Sequence, residues 1–390
     1  MEPLPAVPEI TPREFVLAVE SGAPLQIMDV RNPVRAAAGH IDLLPGDRYH
    51  NLVGSQLREQ TDVAAMGLDP ALPTVTVCGH GNDSSACAAH LIALGHPARS
   101  MRGGMAAYMD LLIDRPIAPP PSLDALVQFD RIGKGSLAYL LISDHEALLV
   151  DPPRDAEAML KAAREAGARV VGVADTHVHA DYISGASVLA KTLGVPYHLN
   201  PADNAFPFDG TPGQLSITPL TDGMTIRVGR ADIVARHNPG HTEGSTTLFV
   251  DDAIALSGDF IFVESLGRPD LAGRASEWAA LLWDSLERSR RTWPREALVL
   301  PGHYSSPRER RADRAVAGLF GDLMRTNSAL QMVDRDAFLA WATQTAPVPE
   351  SYRSIKAINA GLLHVEEREA TELEVGRNEC AVARPAGAAS

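Results

Sequence analysis

The sequence predicts an α/β protein with two domains: a parallel-sheet domain, and then two packed sheets covered by helices. The apolar runs 26–30 and 74–77 are typical of buried parallel strands, and a helical pattern at 84–94 follows the second run. Between 129 and 301 the strand patterns fall into two blocks with helices between them. Such an arrangement favours a sheet-on-sheet core with helices on its outer faces.

A proline-dense stretch at 115–121 separates the two patterns, and its stiff, extended composition is typical of a domain linker. We therefore predict a first domain at 1–118, a second at 119–345 and a C-terminal extension at 346–390. The Ala/Gly-rich end of the extension is expected to be loosely packed.

Composition excludes several classes of function. A net charge of −14 argues against binding nucleic acid, and no apolar run is long enough to span a membrane. The first five residues lack the basic and apolar stretches of an export signal. Three cysteines are an odd number at spacings that suggest no disulfide framework. We therefore expect a cytoplasmic protein with reduced thiols.

Ligand-type side chains recur where hydrophobic strands end, several of them directly after a glycine. Strand ends can bring such side chains to one edge of a sheet, as a shared metal ion requires. Imidazole and carboxylate groups together suit Zn or Fe rather than Ca or Mg. The residues are His177, His179, Asp181, His241, Asp259 and His303. His198 and His237 lack this context, and we treat them as ordinary polar residues.

These motifs resemble the signature of the metallo-β-lactamase superfamily over residues 123–345. The resemblance rests on the run 176–181 and on the pairs Gly240-His241, Gly258-Asp259 and Gly302-His303. It implies an αββα sandwich. Within the superfamily, His-Ala-Asp followed by Ile-Ser-Gly and the later run 267–273 look most like persulfide dioxygenases, with glyoxalase II hydrolases as the next relatives.

The resemblance to persulfide dioxygenases implies one Fe(II) per chain, held by His177, His241 and Asp259. Two imidazoles and one carboxylate form a facial triad that leaves positions open for substrate and O2. A further set would lie just outside the ligands and orient them. That set is His179, Asp181 and His303.

Tyr182 departs from the pattern of superfamily members that hold two metals, which usually carry histidine directly after the aspartate. A phenol is a poor replacement for an imidazole ligand. The substitution therefore favours one metal, although Zn remains the alternative to Fe.

The expected substrates are O2 and glutathione persulfide, or a similar thiol persulfide, which would be oxidised to sulfite and thiol. Arg268 is the candidate for holding a substrate carboxylate, because its fork of N–H donors matches that group. Tyr304 is the candidate for a hydroxyl facing the iron. The alternatives are a solvated Arg268 and a Tyr304 that only packs. Relatives of this kind often dimerise, so a homodimer is among the expected assemblies.

The loop after the strand at 74–77 carries the second candidate site. Cys78 precedes a helix, whose backbone N–H groups and positive dipole end would stabilise a thiolate. The loop resembles the active loop of rhodaneses, and other motifs extend that resemblance over residues 8–115. It implies that Cys78 carries a persulfide. Asp83 stands where thiosulfate-using rhodaneses often have arginine, so weak thiosulfate turnover is expected, and an inactive domain is the alternative.

The other two cysteines have no predicted role: Cys87 falls in the following helix as a core residue, and Cys380 is unassigned in the C-terminal extension. Three functions therefore compete. The leading one is a persulfide dioxygenase coupled to sulfurtransferase chemistry at Cys78. The second is a Zn-dependent thioester hydrolase of the glyoxalase II type. The third is a persulfide carrier in which the metal domain is a scaffold.

Overall fold

The computed structural model describes residues 7–344 and 347–382. The first five residues, the predicted boundary at 345–346 and the last eight residues of the predicted extension lie outside this part. Two compact units are present. The first comprises the described residues up to Ile113 together with Arg131–Lys134 and Val375–Arg377, and the second comprises the remainder. The predicted domain bounds stay predictions.

The first unit is built on a five-stranded parallel sheet in the order β1-β5-β4-β2-β3. Its strands are β1 Glu9–Ile10, β2 Gln26–Asp29, β3 Tyr49–Asn51, β4 Thr74–Val77 and β5 Ala98–Met101. Its helices are α1 Pro12–Glu20, α2 Pro33–Ala38, α3 Gly54–Glu59, α4 Asn82–Ala93 and α5 Gly104–Met109.

Two apolar clusters stabilise this sheet. Phe15 and Val16 of α1 pack with Ile27 and Val75, whereas Leu91 of α4 belongs to the other cluster. All four residues of β4 are buried, as its continuous apolar pattern predicts. The structure confirms the predicted parallel-sheet α/β fold.

The second unit contains a seven-stranded and a six-stranded sheet, in the orders β12-β11-β10-β9-β8-β7-β6 and β13-β14-β15-β16-β17-β18. The first sheet comprises β6 Leu112–Ile117, β7 Ala125–Arg131, β8 Ser136–Ser143, β9 Glu146–Val150, β10 Arg169–Ala174, β11 Tyr197–Leu199 and β12 Thr218–Pro219. The second comprises β13 Thr225–Val228, β14 Ala231–His237, β15 Thr246–Val250, β16 Ile254–Gly258, β17 Leu298–Pro301 and β18 Gly318–Leu319.

Apolar side chains from both sheets form one core, in which Leu141 and Val150 of the first sheet join Ile233 and Leu256 of the second. Helices cover the outer faces. The helices are α6 Glu157–Glu165, α7 Ala186–Leu193, α8 Ala275–Thr292, α9 Phe320–Thr326, α10 Arg335–Ala342, α11 Glu350–Asn359 and α12 Glu367–Leu373. This is the predicted αββα sandwich.

Two segments that were predicted to be irregular are partly regular in the structure. The predicted linker at 115–121 begins inside β6, an edge strand, where Pro116 is tolerated because an edge strand needs fewer ladder donors. In the C-terminal extension, residues 380–382 pair with another backbone segment of the second unit: Arg268 N–H donates to the Cys380 carbonyl and Val382 N–H to the Leu266 carbonyl, each at 2.8 Å. Residues 383–390 of the Ala/Gly-rich end lie outside the described residues.

Within the described residues, every helix is too short or too polar to cross a membrane.

Candidate metal centre

Four strand ends in the second unit carry the predicted ligands. His177 follows β10, His241 follows β14, Asp259 follows β16, and His303 follows β17. Parallel pairing of β16 with β17 sets Asp259 beside His303, so that His303 Nδ1 lies 2.6 Å from Asp259 Oδ1. The six predicted side chains, including His179 and Asp181, are each at most 1% exposed.

His177, His241 and Asp259 come together as one set of metal-ligating atoms. Asp259 Oδ2 lies 3.7 Å from His177 Nε2 and 3.4 Å from His241 Nε2. Ligand atoms about 2.1 Å from a shared tetrahedral ion are about 3.4 Å apart, so these separations fit an ion at the centre. None of the three atoms has a hydrogen-bond partner within the described chain, although all are buried. Such polar atoms are costly unless an ion satisfies them.

Partners behind the two imidazoles fix which nitrogen faces the ion. His241 Nδ1 donates to the Arg268 carbonyl at 2.9 Å. His177 Nδ1 lies 2.9 Å from Thr176 Oγ1, which itself donates to Asp151 Oδ2 at 2.9 Å. Thr176 therefore links a buried carboxylate to the His177 ring and leaves Nε2 for a metal.

The protonation states suit metal binding. Burial, followed by the charges of neighbouring histidines, holds the pKa of His177 well below its usual range. Burial likewise lowers the pKa of His241 to about 4. Burial opposes ionisation of Asp259, but His303 and His241 outweigh it and lower the pKa of this carboxyl. Two neutral imidazoles and one carboxylate are the protonation states that a metal ion needs.

His179 faces away from this set. Its Nε2 lies 2.9 Å from the Tyr182 hydroxyl and 3.2 Å from Asp151 Oδ1, and Asp175 Oδ1 is 3.7 Å away. Burial opposes its charge, but the Asp151 and Asp175 carboxylates raise the pKa of His179 to about 10. The Tyr182 ring stacks on His179, so Tyr182 positions this imidazolium.

Asp181 and His303 form a second group with a residue that the sequence left unassigned. His303 Nε2 lies 3.1 Å from Asp181 Oδ2, and the Cys380 thiol is within 4.8 Å of ligand atoms of both. Cys380 is fully buried. The position of Cys380 could not be predicted, because nothing in its local sequence shows that the chain returns to the metal centre.

The two residues that were predicted to contact the substrate, Arg268 and Tyr304, make other contacts in the structure. The guanidinium of Arg268 makes two 2.6 Å hydrogen bonds with the Asp270 carboxylate, and only 4% of the residue is exposed. The Tyr304 hydroxyl donates to Asp130 at 2.9 Å and contacts Arg310, so it is committed to this buried network rather than to the ligand set. Arg268 nevertheless lines a cavity of about 280 Å³.

The Cys78 site in the first unit has the geometry of an activated thiol. Cys78 follows β4, and its sulfur accepts a hydrogen bond from Gly81 N–H at 3.1 Å. Burial raises the pKa of the Cys78 thiol. Hydrogen bonds from Ser84 and from the His80 and Gly81 amides together outweigh burial, so the net shift of the pKa is downward. A cavity of about 470 Å³ opens at this sulfur.

Asp83 is not an isolated charge at this site. Arg58 NH1 lies 2.6 Å from Asp83 Oδ1, so the predicted repulsion of an anionic sulfur donor is partly neutralised. Both side chains are well exposed, and solvent weakens the pair. Cys87 is fully buried, as predicted.

The second unit is thus an αββα domain with a candidate metal centre, and the first presents a cysteine whose pKa is lowered. A model of the metallo-beta-lactamase superfamily matches residues 131–307, and a model of the rhodanese-like domain matches residues 11–111. An uncharacterized protein of Aquifex aeolicus is 32% identical over 171 residues, which are 41% of this chain and 79% of the relative. The chain therefore belongs to the metallo-beta-lactamase superfamily and also carries a rhodanese-like domain, which confirms both predicted resemblances.

A narrower similarity points to one branch of that superfamily. Mitochondrial persulfide dioxygenase ETHE1 of Homo sapiens is 31% identical over 176 residues, 43% of this chain. The match spans 63% of that relative, less than two thirds of its length. The crystal structure of ETHE1 from Myxococcus xanthus is similar with a TM-score of 0.51, covering 64% of this chain and all of that one. At 23% identity, this second similarity concerns the fold.

Proposed function

We propose that this protein is an Fe(II)-dependent persulfide dioxygenase that oxidises glutathione persulfide, or a similar thiol persulfide, to sulfite with O2. The observation that carries the proposal is the buried set of partnerless atoms on His177, His241 and Asp259. Two imidazoles and one carboxylate are the ligand set of iron sites that keep coordination positions open. Similarity to persulfide dioxygenases supports the same choice.

Each residue of the set has a defined task in this proposal. Burial keeps His177 and His241 neutral. Both present Nε2 to the metal, because Thr176 and the Arg268 carbonyl hold their Nδ1 atoms. Asp259 contributes one negative charge, and His303 holds its second oxygen. A bound iron would offer coordination positions to both the persulfide sulfur and O2. Burial of the set keeps bulk water from competing there.

Sulfane-sulfur transfer at Cys78 is the second part of the proposal. A thiol with a lowered pKa at the mouth of a 470 Å³ cavity can accept sulfur from a persulfide or thiosulfate donor. Both activities need reduced thiols, which is why we place the protein in the cytoplasm.

A hydrolase of the glyoxalase II type is the second candidate, favoured by one observation. The group Asp181, His303 and Cys380 could hold another ion beside the first, and two ions can activate a bridging water. Metal analysis of anaerobically purified protein separates the candidates: about one iron per chain supports the dioxygenase, and two zinc ions with thioester cleavage support the hydrolase.

Two variants test the division of labour. His241→Ala is expected to abolish oxygen consumption and to leave sulfur transfer intact, because it removes one of three metal ligands from a separate unit. Cys78→Ser is expected to abolish sulfur transfer and to leave oxidation of supplied glutathione persulfide. Loss of that oxidation in Cys78→Ser would disprove the two-site proposal.

A further inference from the structure

The C-terminal segment brings two reactive side chains to the metal centre. Cys380 and Lys356 are each fully buried, and both lie beyond residue 307, where the superfamily match ends. Neither belongs to the proposed ligand set or to the proposed reaction.

The Cys380 thiol is held in place by its backbone. The Cys380 carbonyl accepts from Arg268 N–H, and the neighbouring Ala381 pairs with Gly267. Its sulfur consequently lies within 4.8 Å of ligand atoms of Asp181 and His303, and His303 in turn contacts the proposed metal ligand Asp259. A sulfur atom of the protein is therefore held next to the metal centre, where a persulfide would be oxidised.

A buried lysine acts on the same groups: burial lowers the pKa of Lys356, and nearby acidic groups oppose this shift. It lies on α11, and its buried Nζ has no hydrogen-bond partner among the described residues. The acidic groups whose charge reaches it are Asp203, Cys380, Asp259 and Asp181. Of these, Asp203 already accepts hydrogen bonds from Val178, Thr242 and Gly244. Because burial drives this amine towards its neutral form, an anion bound beside it is what would hold it as the ammonium.

We propose that Cys380 accepts sulfane sulfur and holds it as a protein persulfide beside the metal ligands, with the Lys356 ammonium balancing its negative charge. The Cys380 thiolate attacks the outer sulfur of a donor R–S–SH. A bond forms between Cys380 Sγ and that sulfur, and the R–S to sulfur bond breaks. The donor leaves as thiolate, and the outer sulfur keeps its proton until the Cys380 persulfide ionises. The exchange needs no external oxidant.

A donor site lies beside Cys380. Its two chain neighbours, Glu379 and Ala381, line the cavity of about 280 Å³ that Arg268 also lines. This volume is just below the usual range for small-molecule pockets, so a low-molecular-weight persulfide is the matching donor class. Because Cys380 is itself buried, a donor in this cavity reaches its sulfur only when the paired backbone at 380–382 shifts locally.

The oxidation of this sulfur rests on the proposed dioxygenase function, in which the species oxidised would be the Cys380 persulfide. The overall reaction is Cys–S–SH + O2 + H2O → Cys–SH + SO3²⁻ + 2 H⁺, in which O2 is the oxidant. The Cys380 thiol is regenerated and can accept the next sulfur.

A second metal ion is the competing ligand for the same residues, because carboxylate, imidazole and thiolate together bind zinc. Metal analysis and sulfur addition, measured on the same protein, distinguish a second ion from sulfane sulfur.

The test uses full-length, iron-replete Cys78→Ser/Cys87→Ser protein, in which Cys380 is the remaining cysteine. Treatment with glutathione persulfide without oxygen, followed by peptide mass spectrometry, is expected to find one added sulfur atom on Cys380. Lys356→Met is expected to slow this addition by about tenfold, the effect of losing one nearby charge. The exposed lysine variant Lys161→Met is the control and should not change the rate.

Failure of this inference and failure of the proposed function give different results. If Cys380 gains no sulfur and Cys380→Ser consumes oxygen like the parent protein, the inference is overturned and the dioxygenase stands. If Cys380 gains sulfur but admission of oxygen yields no sulfite, sulfur acceptance stands and the dioxygenase fails. If Cys380→Ser instead loses a second bound zinc and the parent gains no sulfur, Cys380 is a metal ligand and the inference is overturned.

Discussion

The Thr176 hydroxyl gives the sharpest test of how the metal ligands are positioned. It is 1% exposed, donates to Asp151 Oδ2 and accepts from His177 Nδ1, both at 2.9 Å. Thr176→Val keeps the shape of the side chain and removes both hydrogen bonds. The His177 ring then loses the partner that fixes its tautomer, and the buried Asp151 carboxylate loses one of its donors.

The expected magnitude follows from these two contacts. Leaving a buried polar group unsatisfied costs about 1–3 kcal/mol, so the two together should lower the free energy of unfolding by about 2–6 kcal/mol. Loss of the partner behind a metal-ligating histidine typically lowers metal affinity about 10–100-fold. Both effects should appear in the same variant.

The assay can be confined to the second unit. All four tryptophans, at positions 278, 283, 293 and 341, lie in that unit, so urea unfolding followed by tryptophan fluorescence reports on it alone. Competition with a chelator measures metal affinity. Thr247→Val is a matched control, because Thr247 is fully buried in the same unit and its hydroxyl has no hydrogen-bond partner in the described chain. It should have little effect on stability or affinity.

If Thr176→Val bound metal as tightly as the parent protein, the Thr176 hydroxyl would not be what positions His177 for metal binding. An equal loss of stability in Thr247→Val would show that any buried threonine at this core is sensitive, and that the hydrogen bonds do not matter.

Three further predictions concern the two sites. Because hydrogen bonds lower the pKa of Cys78 despite its burial, its alkylation by iodoacetamide should rise with pH through a midpoint below that of an unperturbed cysteine; a higher midpoint would contradict this account. Asp83→Asn should raise thiosulfate sulfurtransferase activity a few-fold and Arg58→Leu should lower it, since the first removes a negative charge and the second exposes one; unchanged rates in both would show that this pair does not influence the donor. A Cβ at Gly267 would lie 1.9 Å from the Asp259 carbonyl oxygen and 2.8 Å from His241 Nδ1, so Gly267→Ala should weaken metal binding by at least about tenfold. Gly194→Ala is strained at φ +68 but its Cβ meets no atom within 4 Å, so it should cost stability without weakening metal binding.

The two folds, and the grouping of His177, His241 and Asp259, could be predicted from the sequence because they depend on local patterns. The strand β17 is apolar and ends at Pro301, so a ligand at His303 falls at the sheet edge. Asp259 is likewise expected at the sheet edge, because β16 ends at Gly258 in a left-handed conformation at φ +51.

Contacts between distant segments could not be predicted. Arg268 looked available for substrate, but its partner Asp270 and its burial depend on how the loop folds against the C-terminal strand. Tyr304 follows a predicted ligand directly, yet its hydroxyl turns to Asp130, which is 174 residues away in sequence. Lys356 and Cys380 reach the metal centre through tertiary packing that no periodic pattern encodes.

Oxygen uptake by iron-replete protein tests the proposed iron chemistry most directly. An oxygen electrode should record consumption when glutathione persulfide is added, with sulfite formed in equal amount, and should record none with His241→Ala. Dissolved oxygen that stays constant with the parent protein, at about one bound iron per chain, would contradict this chemistry.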